Sequence, residues 1–343
     1  MTAPLPSASL TGARELIERY GVDPDAIARD VGMDPAALDS KQEIVQGLTF
    51  HNFLKEASVR CGNRYLNLEL AECQHWGTFS AIWPFIDKAE TLGDVLNIMA
   101  TYLERYSATA TTYTLEDKRG LFFCFEVRWH ITNQQLIDQG EVEVVEYALA
   151  ISCNEVRQIL GKNWHPTYTQ FRHNQPEDCQ PLYGCFGPNI SFNQDCNAIF
   201  LTHEELATPL PANWALDKQL ISDPADMLNQ ELSWRILTDR AIRRVFHTDY
   251  CTVESVSEDL GVAVRTLQYN LKKESTSYQN ILNQIRLECA IHYLENSDLS
   301  VTEIAERLHF AETAVFSRFV KNRLGCSPSQ LRDSPRQPRN KGN

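Results

Sequence analysis

A chain of 343 residues, 43% of them hydrophobic, is long enough for two domains with separate cores, and 45 acidic against 32 basic residues exclude a protein that holds nucleic acid by bulk positive charge. No run reaches the roughly twenty apolar residues that span a bilayer. The ten cysteines lack any CxxC pair and, in a chain this long, are expected to stay reduced in the cytoplasm rather than form a disulfide scaffold. The charge is unevenly spread: residues 1–229 hold 16 Lys+Arg against 31 Asp+Glu, residues 230–343 hold 16 against 14. The acidic part repels DNA and reads as a sensor, whereas the nearly neutral part can approach a polyanion.

In chain order, MTAPLPSASLTG has neither the basic start nor the apolar core of a signal peptide, and residues 1–10 are expected to be disordered. Residues 13–20 and 25–31 read as short helices with Gly21 and Gly32 just past their ends. Residues 50–60 and 65–73 follow as helices, then a longer one over 92–106 whose stripe is Leu92, Val95, Leu96, Met99 and Leu103. The period then changes. TATTYTLED and LFFCFEVRW, separated by Lys118-Arg119-Gly120, read as a hairpin, residues 135–160 as a long helix, and residues 167–172, 190–192 and 198–201 as short strands. Helices, antiparallel strands and a long packed helix predict an α+β domain over residues 11–212.

Small-molecule sites are mostly apolar with a few placed polar groups. The aromatic stretch from Trp76 through Phe79 and Trp83, with Tyr102, Tyr106, Phe123 and Phe125, supplies candidates for an effector pocket, and Arg128 and Arg172 for anchoring an acidic effector; for any single aromatic a place in the core is the favoured reading. His165, His173, Cys179, Cys185 and Cys196 fall close together, but at spacings looser than metal ligands usually show, so no metal or cofactor is expected. There is no glycine-rich phosphate loop, GxSxG or HExxH, and no enzymatic activity is expected.

Residues 213–230 read as a linker, broken at Leu210-Pro211-Ala212-Asn213 and Ser222-Asp223-Pro224. Residues 226–247 carry a helical apolar pattern through Leu228, Leu232, Ile236, Ile242, Val245 and Phe246. Residues 231–333 then form an all-α domain with two helix-turn-helix units, 252–274 and 300–325, the second turn one residue longer. Val253, Val256 and Leu260 make one stripe, Val264, Leu267 and Leu271 its partner; Val301, Ile304 and Leu308, then Phe316 and Val320, repeat them. Small Ser257 and Ala305 allow each helix pair to cross closely, and Gly261 suits the tight turn, where His309 stands in the second unit. The faces left over present Arg265, Gln268, Tyr269 and Lys272, then Thr313, Ser317, Arg318 and Lys321, side chains that hydrogen-bond base edges and phosphates. The tail, residues 334–343, is polar and basic and is expected to be disordered.

The run from Val264 to Arg332 resembles the DNA-binding domain of AraC/XylS-type regulators at Arg265-Thr266-Leu267-Gln268, Ile285-Arg286-Leu287, Ile304-Ala305, Phe316-Ser317-Arg318-Phe319, and Gly325 followed by Ser327-Pro328. The resemblance implies a long helix over 277–295 joining the two units. Tyr269 and Asn270 depart from it, standing where basic residues are usual, and Ala263 and Ala314 stand where serine is usual. WGTFSAIWPFIDKAETLGDVLNIMATYLERYS, QFRHNQP and YGCFGPNISFNQDCNAIFLTHEEL resemble the so-called arabinose-binding sensor domain of AraC relatives akin to ornithine-utilisation regulators. The resemblance implies a bacterial transcription regulator, an activator by expectation. Its implied partners are promoter DNA, a small organic effector and RNA polymerase; a homodimer is an open alternative, and no membrane is involved. Two other readings stay open: a metal- or thiol-based redox sensor, and a constitutive DNA-binding protein whose N-terminal domain only dimerises.

Overall fold

The computed structural model describes residues 4–41, 43–76, 86, 88–106, 110–127, 141–212, 214, 233–246, 248, 251–297 and 299–333. The chain divides into two compact units, Met1–Leu232 and Ser233–Asn343, the first α+β and the second all-α.

The first unit opens on strand β1 (Pro4–Pro6), which pairs antiparallel with β2 (Ile44–Gln46), Leu5 lying opposite Val45. A 3-10 turn follows over Ser7–Leu10, with Ala8 and Leu10 buried. Residues 4–10, expected to be disordered, are thus ordered. Proline costs little in an isolated edge strand, and a few anchors such as Leu5 and Leu10 fix the segment without showing any periodicity. Helices α1 (Ala13–Arg19) and α2 (Pro24–Asp30) end at Gly21 and Gly32 as expected. Asp23 caps α2 through the Asp25 N–H, with Pro24 at its first position. Helices α3 (Gly47–Arg60) and α4 (Leu66–Glu72) pack beside α6 (Glu141–Leu160). Residues 135–140, expected to begin α6, lie outside the described residues.

Helix α5 (Leu92–Tyr106) buries its whole apolar stripe and leads into the hairpin of β3 (Ala110–Asp117) and β4 (Gly120–Val127). The hairpin starts a five-stranded sheet of order β3-β4-β7-β5-β6, built with β5 (Tyr168–Gln170), β6 (Ile190–Ser191) and β7 (Ala198–Thr202). All neighbours are antiparallel except β5 and β6. A Cβ at Gly120 would stand 1.9 Å from the Leu201 carbonyl oxygen, so β4 and β7 meet this closely only over glycine. One sheet face sends Phe123, Phe125, Ile199 and Leu201 into the helical core; Tyr113, Cys124, Cys196 and Ala198 cluster on the other. Two short helices, α7 (Gln180–Phe186) and α8 (His203–Leu206), had not been expected. The Thr202/Glu205 capping box of α8 is written in the sequence as T-x-x-E.

His51 on α3 is wholly buried, and burial pushes its pKa down to about 4. The unfolded chain therefore binds a proton below pH ~6.5 that the folded chain refuses. Stability contributed at neutral pH should fall as pH drops from about 6.5 to 4, and His51→Leu should flatten that part of an unfolding-midpoint series. An unchanged profile in the variant would assign the acid sensitivity elsewhere.

The second unit consists of α9 (Trp234–Val245), α10 (Val253–Asp259), α11 (Val264–Lys273), α12 (Tyr278–Asn296), α13 (Val301–Arg307), α14 (Thr313–Leu324) and α15 (Pro328–Asp333). The long helix expected over 277–295 is α12, and its Ile281, Ile285, Ala290, Ile291 and Leu294 are buried. The helix expected over 226–247 is described as α9 and packs on α10, α11 and α12, within this unit. Leu228 and Leu232 lie outside the described residues, as do most of the linker expected at 213–230 and the tail 334–343. Trp214, assigned to that linker, is instead buried in the first unit against Trp76, ring centroids 6.3 Å apart. The closing helix α15 was not expected; Leu331 buries it against the bundle.

Candidate nucleic-acid interface

Each helix-turn-helix begins with a capped helix. Thr252 caps α10 through the Ser255 N–H, and Ser300 caps α13 through the Glu303 N–H, each in a reciprocal capping box. The Ser300 hydroxyl and N–H hold the Glu303 carboxyl below its usual range. Of the two stripes, Val256, Leu267 and Leu271 are buried in the first helix-turn-helix and Ile304, Leu308, Phe316 and Val320 in the second, while Val253, Leu260, Val264 and Val301 at their edges are half-buried. Ser257 is buried at the helix crossing and donates its hydroxyl to the Val253 carbonyl at 2.7 Å; Ala305 is buried at the matching place.

The two turns are solved differently. Gly261 takes φ 65° with open space around it, so the backbone, not crowding, selects glycine. His309 takes φ 58° without being glycine. Its ring Nε2 lies 2.6 Å from the Phe246 carbonyl at the end of α9, and its own carbonyl accepts from Arg286 of α12 at 2.8 Å. These contacts hold a conformation that costs an L-residue roughly 1 kcal/mol. His309→Gly trades that cost for a hydrogen bond worth about 1 kcal/mol and should leave stability within about 1 kcal/mol. His309→Val, β-branched in the left-handed region and without the bond, should lose about 2 kcal/mol or more in urea unfolding. Equal midpoints for the two variants would contradict this account.

Helix α9 is held at both ends by these units. The Glu274 carboxylate, just past α11, accepts the Trp234 N–H at 2.7 Å and the Arg235 N–H at 2.9 Å, capping the first turn of α9. His309 takes its last carbonyl. Between them, Arg243 bonds Asp239 at 3.0 Å and Glu288 of α12 at 2.6 Å, all three side chains nearly buried.

The sequence candidates on the recognition helices lie as follows. Arg265, Gln268, Tyr269 and Lys272 are all exposed on α11; Arg318 and Lys321 are exposed on α14, with Thr313 and Ser317 half-buried. The longer second turn puts Gln268, Tyr269 and Lys272 in register with Ser317, Arg318 and Lys321. Arg265 falls opposite Ala314. Of the two alanines that stand where serine is usual, Ala263 is the N-cap of α11, whereas Ala314 lies inside α14, whose N-cap is Glu312; neither N-cap has a side-chain cap.

In the first unit the candidates separate. Trp76 is buried, its backbone N–H donating to the Glu155 carboxylate at 2.7 Å; Phe123 and Phe125 fill the main core, and Tyr102 packs half-buried against it. Tyr106 is the last residue of α5. Phe79, Trp83 and Arg128 lie outside the described residues. Arg172 is buried and its guanidinium sits 3.3 Å from the Glu126 carboxylate, which also accepts the Asn197 N–H and side-chain amide at 3.0 Å each. Its charge is met inside the protein, which argues against Arg172 as an anchor for an acidic effector. The missed residues here are buried carboxylates: Glu126, Glu155, and Glu146, which takes a bidentate pair from Arg64 at 2.7 and 2.9 Å. Glu146 and Glu155 do show as acids within the apolar run of α6. A cavity of about 10 Å³ among Leu16, Phe53, Leu54 and Asn67 has room for no more than a water molecule.

A family description of the arabinose-binding domain of AraC transcription regulators matches residues 21–210, over half of the chain, and a helix-turn-helix domain matches residues 256–334. The chain belongs to the AraC family. It is a DNA-binding transcription regulator with an N-terminal domain of the arabinose-binding type. It is 22% identical to the ornithine utilization regulator of Pseudomonas aeruginosa over 96% of this chain and 97% of that one. It is 37% identical to the transcriptional activator RhaS of Salmonella arizonae over 106 residues, 31% of this chain and 35% of that one. The crystal structure of the regulator CdpR from Pseudomonas aeruginosa aligns with a TM-score of 0.41 at 15% identity, covering 93% of this chain and 97% of that one.

Among the described residues of the regulator, no three His, Cys, Asp or Glu side chains come together as a metal site, and no helix is long and apolar enough to cross a membrane. Burial pushes the Cys185 thiol up to about 12 and raises Cys124 and Cys153 as well. Thiols held protonated are poor nucleophiles, which disfavours these three as peroxide sensors.

Proposed function

We propose that the regulator activates transcription in response to a small organic effector bound by its N-terminal unit, working in the cytoplasm with RNA polymerase as its partner at the promoter. The observation that carries this reading is the pairing of an acidic unit having its own core with a near-neutral unit presenting two helix-turn-helices. The acidic unit is unsuited to DNA and free to sense. In this reading Arg265, Gln268, Tyr269, Thr313, Ser317 and Arg318 meet base edges, and Lys272 and Lys321, each one residue beyond a buried apolar position, meet phosphate. The names of two relatives, one for ornithine utilization and one for activation, support an amino-acid-like effector and a positive effect. A thermal-shift screen of the full-length protein against amino acids, fatty acids and aromatic acids tests it, followed by in vitro transcription with any stabilising compound. The expected result is one chemical class that raises the melting temperature and raises transcript yield. A stabilising compound that leaves transcription unchanged, or metal retained through purification and needed for it, would overturn the reading.

A further inference from the structure

The two recognition helices share a register but not a chemistry. Tyr269 and Arg318 occupy the same position, one turn into the exposed face of α11 and α14. Tyr269 is 61% exposed, an unusual place for an aromatic ring on a small helical unit. The Lys273 ammonium, one turn further along α11, sits 4.5 Å from the ring centroid. That cation–π contact covers one ring face, while the ring stays largely exposed on a helix face that also exposes Arg265, Gln268 and Lys272.

We propose that Tyr269 is a specificity-determining residue that reads a thymine through its C5 methyl group, at the place where Arg318 in the second unit reads a guanine; this rests on the base-reading role proposed for the two helices. In the major groove the thymine methyl is the apolar group on a base edge, and it is what an uncharged ring can recognise and a guanidinium cannot. Arg318 offers the opposite chemistry, two donors for guanine O6 and N7. Arg265, four residues before Tyr269, corresponds in register to Ala314 of α14, so the strong guanine reader sits one helical turn earlier in α11 than in α14. One turn rises about 5.4 Å, enough to displace the preferred guanine by between one and two base pairs. The operator is then two unlike elements and not a repeat of one.

The test uses a duplex selected from a random library by the intact protein, with each thymine replaced in turn by deoxyuridine, which lacks only the methyl. One thymine should emerge at which deoxyuridine weakens wild-type binding about three- to fivefold, the contribution of one buried methyl. Tyr269→Phe should keep that sensitivity and Tyr269→Ala should lose it; reselection with Tyr269→Arg should change that base pair to guanine. The proposal is overturned if no thymine is sensitive, if sensitivity persists in Tyr269→Ala, or if Tyr269→Phe behaves like Tyr269→Ala, which would place the hydroxyl on a phosphate or another base edge. Failure to select any sequence would instead overturn base reading by these helices altogether, and this assignment with it.

Discussion

Replacing Arg318 with alanine should weaken binding to the selected operator by about 1–3 kcal/mol, five- to 150-fold, and erase the preference at the base pair it contacts. Arg318 is exposed on α14 beyond the buried Phe316, where a guanidinium can present two parallel donors to a guanine edge. Lys321 follows the buried Val320 and carries a point charge instead. Lys321→Ala should reduce affinity for operator and random DNA by the same factor and flatten the slope of log K against log salt by about 0.9. Binding isotherms on both duplexes at several salt concentrations separate the two. If both variants lose the same factor on both DNAs, the division between base and phosphate contact is wrong.

Arg243→Ala should unfold the DNA-binding unit more readily than any single change on its surface, by about 3–5 kcal/mol. Arg243 is the cation between Asp239 on its own helix and Glu288 on α12, and its removal leaves Glu288 facing a nearly buried site. Desolvated charges are costly when one partner is lost, yet the pair as a whole is replaceable. The triple variant Asp239→Leu, Arg243→Met and Glu288→Leu should therefore recover most of the loss. Hydrogen exchange of the α12 amides reports this unit alone, where a global melt would mix two units. A triple variant no better than Arg243→Ala would mean that the ion cluster, beyond filling volume, is required for α9 to dock.

In the sequence the apolar pattern of α9 continues backwards through Leu228 and Leu232. In the structure the described helix is clasped from both ends by the DNA-binding unit, at Trp234 by Glu274 and at Phe246 by His309. Any signal reaching α9 would act on both helix-turn-helices through these two clasps.

The helical unit was readable because its period-3.6 stripes recur twice in one register and its turns fall where Gly261 and His309 break them. Helix α5, the β3–β4 hairpin and the long α12 were equally plain for the same reason, strong periodicity over many residues. The elements that were missed are those whose order comes from long-range partners. Strand β1 exists because β2, forty residues away, pairs with it; α7 buries only Leu182 and Phe186, and α15 offers Leu331 as its apolar anchor, too few to show a period. The one-residue offset that pairs Tyr269 with Arg318 was visible, but its consequence for Ala314 was not, since the N-cap is a matter of backbone angles. In the first unit, composition pointed to aromatics and arginines as ligand groups, yet Phe123, Phe125 and Trp76 pack the core and Arg172 answers Glu126. Residue type alone does not tell a pocket wall from a core wall; only the partner does.

Selection of duplex DNA from a random library by the intact protein, followed by competition between the selected and a scrambled duplex at physiological salt, tests sequence-specific binding most directly. The account predicts enrichment of one bipartite site with two unlike elements, bound at least about a thousandfold more tightly than the scrambled duplex. Equal affinity for the two duplexes, with no sequence enriched, would contradict it.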